Sequence, residues 1–172
     1  MAETLGSLCD KLTIVRLKQW HTKDRQRLAS LATQLTALEA EADAFVAKAI
    51  SREIPLSEMQ FSANKVYQEK RHAFSEITGH VGEVISKLAD VNCALWHQQE
   101  MIYDFEKVSP SKKDGVIKRL AVLNLERNRC IEVIDSLFRD KIAASNDVDA
   151  RKTSVPFKKK PRKSAAQGRK SR

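Results

Sequence analysis

The sequence predicts an all-α protein, an antiparallel bundle of three long helices at about residues 7–50, 58–107 and 110–144, with a disordered basic C-terminal tail. Two domain-level parts follow, a helical domain over 1–150 and the tail over 151–172. Three observations carry this. Apolar residues recur at helical spacing, and turn formers are scarce, with 5 Gly and 4 Pro in 172 residues. The charge is also unevenly divided. Residues 1–150 hold 21 Lys/Arg against 22 Asp/Glu, while 151–172 hold 10 Lys/Arg and no acid, which accounts for the net +9.

The first helix is read from Leu28, Leu31, Leu35, Leu38, Ala42 and Phe45, spaced alternately by three and four residues as in a heptad seam. Extended backward, the register reaches Asp24, His21, Leu17, Ile14 and Asp10, while Leu5, Leu8, Leu12 and Val15 form a second stripe on another side. A continuous helix of this length would span roughly 65 Å. The exposed side of Leu28–Phe45 is expected to pair with a second copy as a homodimer.

Pro55 ends the connection, Ser57 and Gln60 form a capping box, and Leu56 with Phe61 has the spacing of a hydrophobic staple. The second seam is Ala63, Val66, Ala73, Ile77, Val81, Val84, Leu88, Leu95 and Ile102, interrupted by Lys70. Its phase persists through Gly79 and Gly82, so one helix, kinked there, is expected, and a break at those glycines is the alternative. Ser109-Pro110 is an N-cap followed by proline at the first helical position. The third helix then carries Ile117, Leu120, Ile131, Phe138 and Ile142 on one face.

Polar residues interrupt each stripe. With Ile131 at zero and 100° per residue, Asn124 lies at about 20°, Arg127 at about −40°, Asn128 at about 60° and Asp135 at about 40°. Asn92 lies close to the Leu88 face, and His21 and Asp24 take seam positions on the first helix. Burying such groups costs several kcal/mol unless each finds a partner, so a polar layer crossing the bundle is expected. Arg127 needs a carboxylate, from Asp24 or Asp10, with Glu100 third. Two roles compete for the layer: fixing helix register, or forming a small-ligand site with Arg127 for an anionic oxygen and Trp96 as an apolar platform.

His21-x-x-Asp24 and His97-x-x-Glu100 place an imidazole and a carboxylate one turn apart. His97 falls on the side of its helix away from the seam, so the two pairs are not expected to converge, and no metal or other cofactor is assigned. A weak echo relates Lys11-Leu12, Val15, Trp20-His21 and Asp24 to Lys87-Leu88, Val91, Trp96-His97 and Glu100 at a constant offset. No Gly-rich phosphate loop, nucleophile elbow or Cys-x-x-Cys pair is present, so no catalytic residue is nominated. Cys9, Cys93 and Cys130 are expected as reduced, part-buried thiols. The opening residues lack a basic segment followed by an apolar core, and a cytoplasmic setting is expected.

The tail is a candidate polyanion contact through Arg151, Lys152, Lys158, Lys159, Lys160, Arg162, Lys163, Arg169, Lys170 and Arg172, with nucleic acid or an anionic membrane as partner.

Asn92-x-x-Leu95-Trp96-His97, with Asn124-x-x-Arg127-Asn128-x-x-Ile131-Glu132-x-Ile134-Asp135 further on, resembles a family of bacterial helical proteins classed as a domain of unknown function. The opening Gly6-Ser7-Leu8-Cys9-Asp10-Lys11-Leu12-Thr13-Ile14 is similar to the start of many such chains, so the likeness spans about residues 5–140. It implies an all-α fold and a bacterial cytosolic setting, with a role in lipopolysaccharide or capsule assembly; taken with the polar layer, it gives the alternative of an enzyme or accessory handling a sugar or sugar nucleotide. It transfers no activity. The residues matching it are Asp10, Lys11, Asn92, Trp96, His97, Asn124, Arg127, Asn128 and Asp135, and Gln99 and the basic tail depart from the family's pattern.

Overall fold

The computed structural model describes residues 3–61 and 76–153, and the chain is all-α there, with no strand among the described residues. The helices are α1 (Leu5–His21), α2 (Arg25–Ile50), α3 (Val81–Tyr103) and α4 (Pro110–Thr153), with short 3-10 turns at Leu56–Glu58 and Phe105–Lys107. The predicted seam residues Ala63, Val66, Lys70 and Ala73, and the tail beyond Thr153, lie outside the described residues. No described helix is long and apolar enough to cross a membrane.

The expected first helix is two. The chain leaves the helical conformation at Thr22 (φ −113°, ψ 143°) and re-enters after Asp24, whose carboxylate accepts the backbone N–H groups of Gln26 (2.8 Å) and Arg27 (3.1 Å). Those donors have no partner inside the helix, so an aspartate at this position starts one. The two apolar stripes now make sense: α1 and α2 fold back on each other, and Val15 meets Leu31 and Leu35, with Leu12 and Leu38 at the margin. Two stripes on different sides of one straight rod become a single interface once the rod is bent. The Leu28–Phe45 seam is thereby occupied within the chain at Leu31 and Leu35.

The expected second helix is also interrupted. Residues 59–61 and 76–80 are not helical, and Gly79 sits at φ +136°, which an L side chain rarely adopts. A fresh start follows, where the Glu83 carboxylate accepts the His80 N–H at 2.8 Å. Ile77 still packs on the Val84, Leu88, Cys130 and Ile134 cluster although it lies outside a helix, which is why the apolar phase runs through the glycines. The helix expected over 110–144 does begin at Pro110 and runs on to Thr153.

Neighbours pair by layer. Gly6 meets Ile131 and Asp135 while Asp10 meets Arg127, so α1 and α4 run in opposite directions. Val84 and Leu88 meet Cys130 and Ile134, whereas Val91 and Leu95 meet Leu123, so α3 is also opposed to α4. A fourth cluster, Ala49, Met59 and Ile142, joins the end of α2 to α4. The α4 face differs from the one read from sequence. Leu123, Cys130 and Ile134 are its deepest residues, and Ile117 is 51% exposed. α4 is covered by α3 on one side and α1 on the other, so its buried arc is wider than one stripe and is not centred on Ile131.

Candidate functional site

The predicted polar layer exists, and Asp10 is its centre. Asp10 sits in the middle of α1 and is 4% exposed. The Arg127 guanidinium spans its carboxylate, with Nε donating to Oδ1 at 2.7 Å and Nη2 donating to Oδ2. Asn92 Nδ2 donates to the same Oδ1 at 2.9 Å and to Thr13 Oγ1 at 2.7 Å. The Thr13 hydroxyl in turn donates to the Asp10 backbone carbonyl at 2.8 Å. Three helices are thus tied at one level, between the Val84/Leu88/Cys130/Ile134 cluster and the Val91/Leu95/Leu123 cluster.

A fork-on-carboxylate pair with added donors is the arrangement in which a buried ion pair recovers its desolvation cost. Asp10's hydrogen bonds hold the Arg127 guanidinium protonated above its ordinary range. Among the described residues no buried side-chain nitrogen or oxygen lacks a hydrogen-bond partner. The buried atoms of the layer are therefore satisfied within the chain.

Asp135, also 4% exposed, serves a different joint. Its Oδ1 accepts the Gly6 N–H at 2.7 Å, one of the free donors of the first α1 turn, and the Thr4 side chain bonds it as well. A Cβ on Gly6 would lie 2.5 Å from the Ile131 carbonyl oxygen, so only glycine permits this approach of α1 to α4. Burial pushes the Asp135 carboxyl up to about 6, against the hydrogen bonds from Gly6 and Thr4. Burial likewise raises the Cys9 thiol, and raises Cys130 to about 11. All three cysteines are free thiols.

The remaining candidates separate into two groups. Asp24 caps α2 and is exposed, so it is not the partner of Arg127. Lys11 points outward and pairs with Glu3 at 2.6 Å. Asn124 Nδ2 donates to the Leu120 carbonyl at 3.1 Å, and Asn128 is half-buried. At the other end of α1, His21, Trp96, His97 and Glu100 do meet, contrary to the expectation from the helical angles. The His21 and Trp96 rings stack at 4.8 Å, and His97 stands edge-on to His21 at 6.1 Å. Glu100 accepts from the Trp96 indole at 2.8 Å and lies 3.5 Å from His97 Nδ1. The indole bond, ahead of the His97 contact, holds the Glu100 carboxyl below its usual range. The packing of α1 against α3 brings His21 to Trp96, which no reading of one straight helix supplies. No group of three or more His, Cys, Asp or Glu placed to hold a metal ion occurs among the described residues.

The two halves of the Trp-His echo are not equivalent in space, since Trp20 is 86% exposed while Trp96 is half-buried under His21. Sequence reasoning missed Thr13, Gly6 and Thr4. For Thr13 the available signal was its spacing, one turn after Asp10 on the same helix face.

Fold and site together define an all-α protein with a closed polar layer and a separate aromatic–histidine corner. The chain matches no family model, no curated protein and no solved structure.

Proposed function

We propose that this is a non-enzymatic, cytoplasmic helical binding protein whose basic C-terminal segment contacts a polyanion, with nucleic acid as the favoured partner. The observation carrying this reading is the run of 10 Lys/Arg without an acid over residues 151–172, attached to a body of near-neutral charge. Such a segment neutralises phosphates without reading sequence, and it releases counterions as it does so. Val155 and Phe157 are its large apolar residues, too few to form the apolar face that holds an interfacial helix in lipid. The closed layer supports the non-enzymatic half of the reading, because its carboxylate and guanidinium already satisfy each other.

The test compares the full chain with a variant carrying Gln at Lys158, Lys159, Lys160, Arg162 and Lys163. Binding to a generic DNA duplex is measured from 50 to 200 mM salt, a range over which six to ten phosphate contacts lose roughly 10³-fold or more in affinity. The variant is expected to lose most of the affinity and to show a shallower salt slope. Equal, salt-insensitive binding by both chains overturns the reading, and binding confined to phosphatidylserine vesicles moves it to membranes.

The motif likeness supports a second reading, an accessory or enzyme of bacterial surface-glycan assembly handling a sugar or sugar nucleotide. Against its carrying a site at the layer, the motif positions Asp10, Asn92, Arg127 and Asp135 all serve as joints between helices.

A further inference from the structure

A cleft of about 420 Å³ opens where α1, α2 and α3 meet, beside the His21–Trp96 stack. Lys18 and His21 come from the last turn of α1, and Arg27, Ser30 and Gln34 from successive turns of α2. Leu31 is the apolar floor, and the Trp96 indole closes the α3 side. The cleft exists because the chain bends at 22–24, which sets the end of α1 against the beginning of α2.

Its lining is cationic, with two acids touching it from outside: Asp24 at 4.0 Å from Arg27 Nε, and Glu100, which accepts the Trp96 indole N–H. No carboxylate lines it. Lys18 makes no ion pair among the described residues, and Arg27 has only a 4.0 Å approach of its Nε to the capping Asp24. This is the reverse of the Asp10–Arg127 layer, where cation and anion are matched. Lys18 without an ion pair among the described residues and Arg27 only loosely approached by Asp24, both over an apolar floor, suit a dianion attached to a flat, partly apolar body. A phosphate carries close to two negative charges at neutral pH and several strong acceptor oxygens. Hydroxyl and amide donors at Ser30 and Gln34 suit those oxygens, and the indole–imidazole wall suits a planar ring.

We propose that this cleft binds a small phosphomonoester bearing an aromatic ring, of the size and chemistry of a nucleoside monophosphate, with Lys18 and Arg27 holding the phosphate and the Trp96–His21 wall facing the ring. The site is independent of the basic segment and of its polyanion partner.

The chain has two tryptophans, and Trp20 is solvent-exposed, so the full-length Trp20→Phe protein leaves Trp96 as a sole reporter inside the cleft. Its fluorescence is titrated with adenosine 5′-monophosphate, ribose 5-phosphate, adenosine and inorganic phosphate. Saturable quenching is expected with the monophosphate, and about tenfold weaker binding with the three fragments. Lys18→Gln and Arg27→Gln, both at exposed positions, are each expected to weaken it about tenfold, the loss of one charge-assisted hydrogen bond. The variant with five Gln in the basic segment must respond as the parent does. Absence of saturation up to millimolar ligand, indifference to both cleft substitutions, equal binding of inorganic phosphate, or loss of the response with the tail charges each overturns the proposal. The last outcome would leave the polyanion reading standing.

Discussion

The Asp10–Arg127 layer and the Lys18–Arg27 cleft both draw on α1, through Asp10 and Lys18, and use the same kinds of side chain to opposite ends. In the layer the charged groups meet each other, with Asp10 taking Arg127 Nε and Nη2 and Asn92 while Thr13 closes the set. In the cleft no carboxylate lies among the lining residues, and Asp24 approaches Arg27 only at 4.0 Å. A matched network fixes which helices touch and at what register. An unmatched one contributes little to folding and retains its hydrogen-bonding capacity for something else. Satisfaction of the charged groups therefore distinguishes structure from binding here better than residue type does.

Removing the Asp10 carboxylate tests this contrast most severely. Asp10→Ala leaves a half-buried guanidinium without an anion and is expected to destabilise the protein by about 3 kcal/mol in chemical denaturation. The double variant Asp10→Leu/Arg127→Leu is expected to be more stable than Asp10→Ala, because the uncompensated charge leaves with its partner. A double variant no more stable than the single would show that the pair does not act as a unit.

Asp135 provides an intermediate effect with a pH signature. Its native carboxyl lies at about 6 and the unfolded one near 3.8, so the native state binds the extra proton between those values. The ionised group costs stability above pH 6, and that cost is relieved as pH falls through 6 toward 4. Asp135→Asn keeps an acceptor for the Gly6 N–H and is expected to stabilise the protein by about 1–2 kcal/mol at pH 7, an advantage that disappears near pH 4. A gain that does not change with pH would assign the effect to packing rather than to charge.

The cleft cations should matter least to folding. Lys18→Gln and Arg27→Gln are expected to change thermal stability by less than about 0.5 kcal/mol, as exposed substitutions without buried partners do. A loss as large as that of Asp10→Ala would erase the distinction between the two regions.

Residue spacing alone dictated the helical class, the start of α4 at Pro110 and the inward position of Asp10, Asn92, Arg127 and Asp135. Periodicity reports which side of a helix is covered, and polar residues within that period announced the buried network at Asp10, Asn92 and Arg127 but misled at His21 and Asp24, which are exposed. Spacing did not reveal the bend at 22–24, although Thr22 and the capping Asp24 were visible, because the seam's register can be continued through a break that falls between turns. It also misplaced the core of α4, whose covered arc is set by two neighbours at once. The meeting of His21 with Trp96 and the cleft beside them required tertiary structure. Helical angles are defined relative to one axis, and these groups lie on three axes whose relative placement only the packing of the folded chain provides.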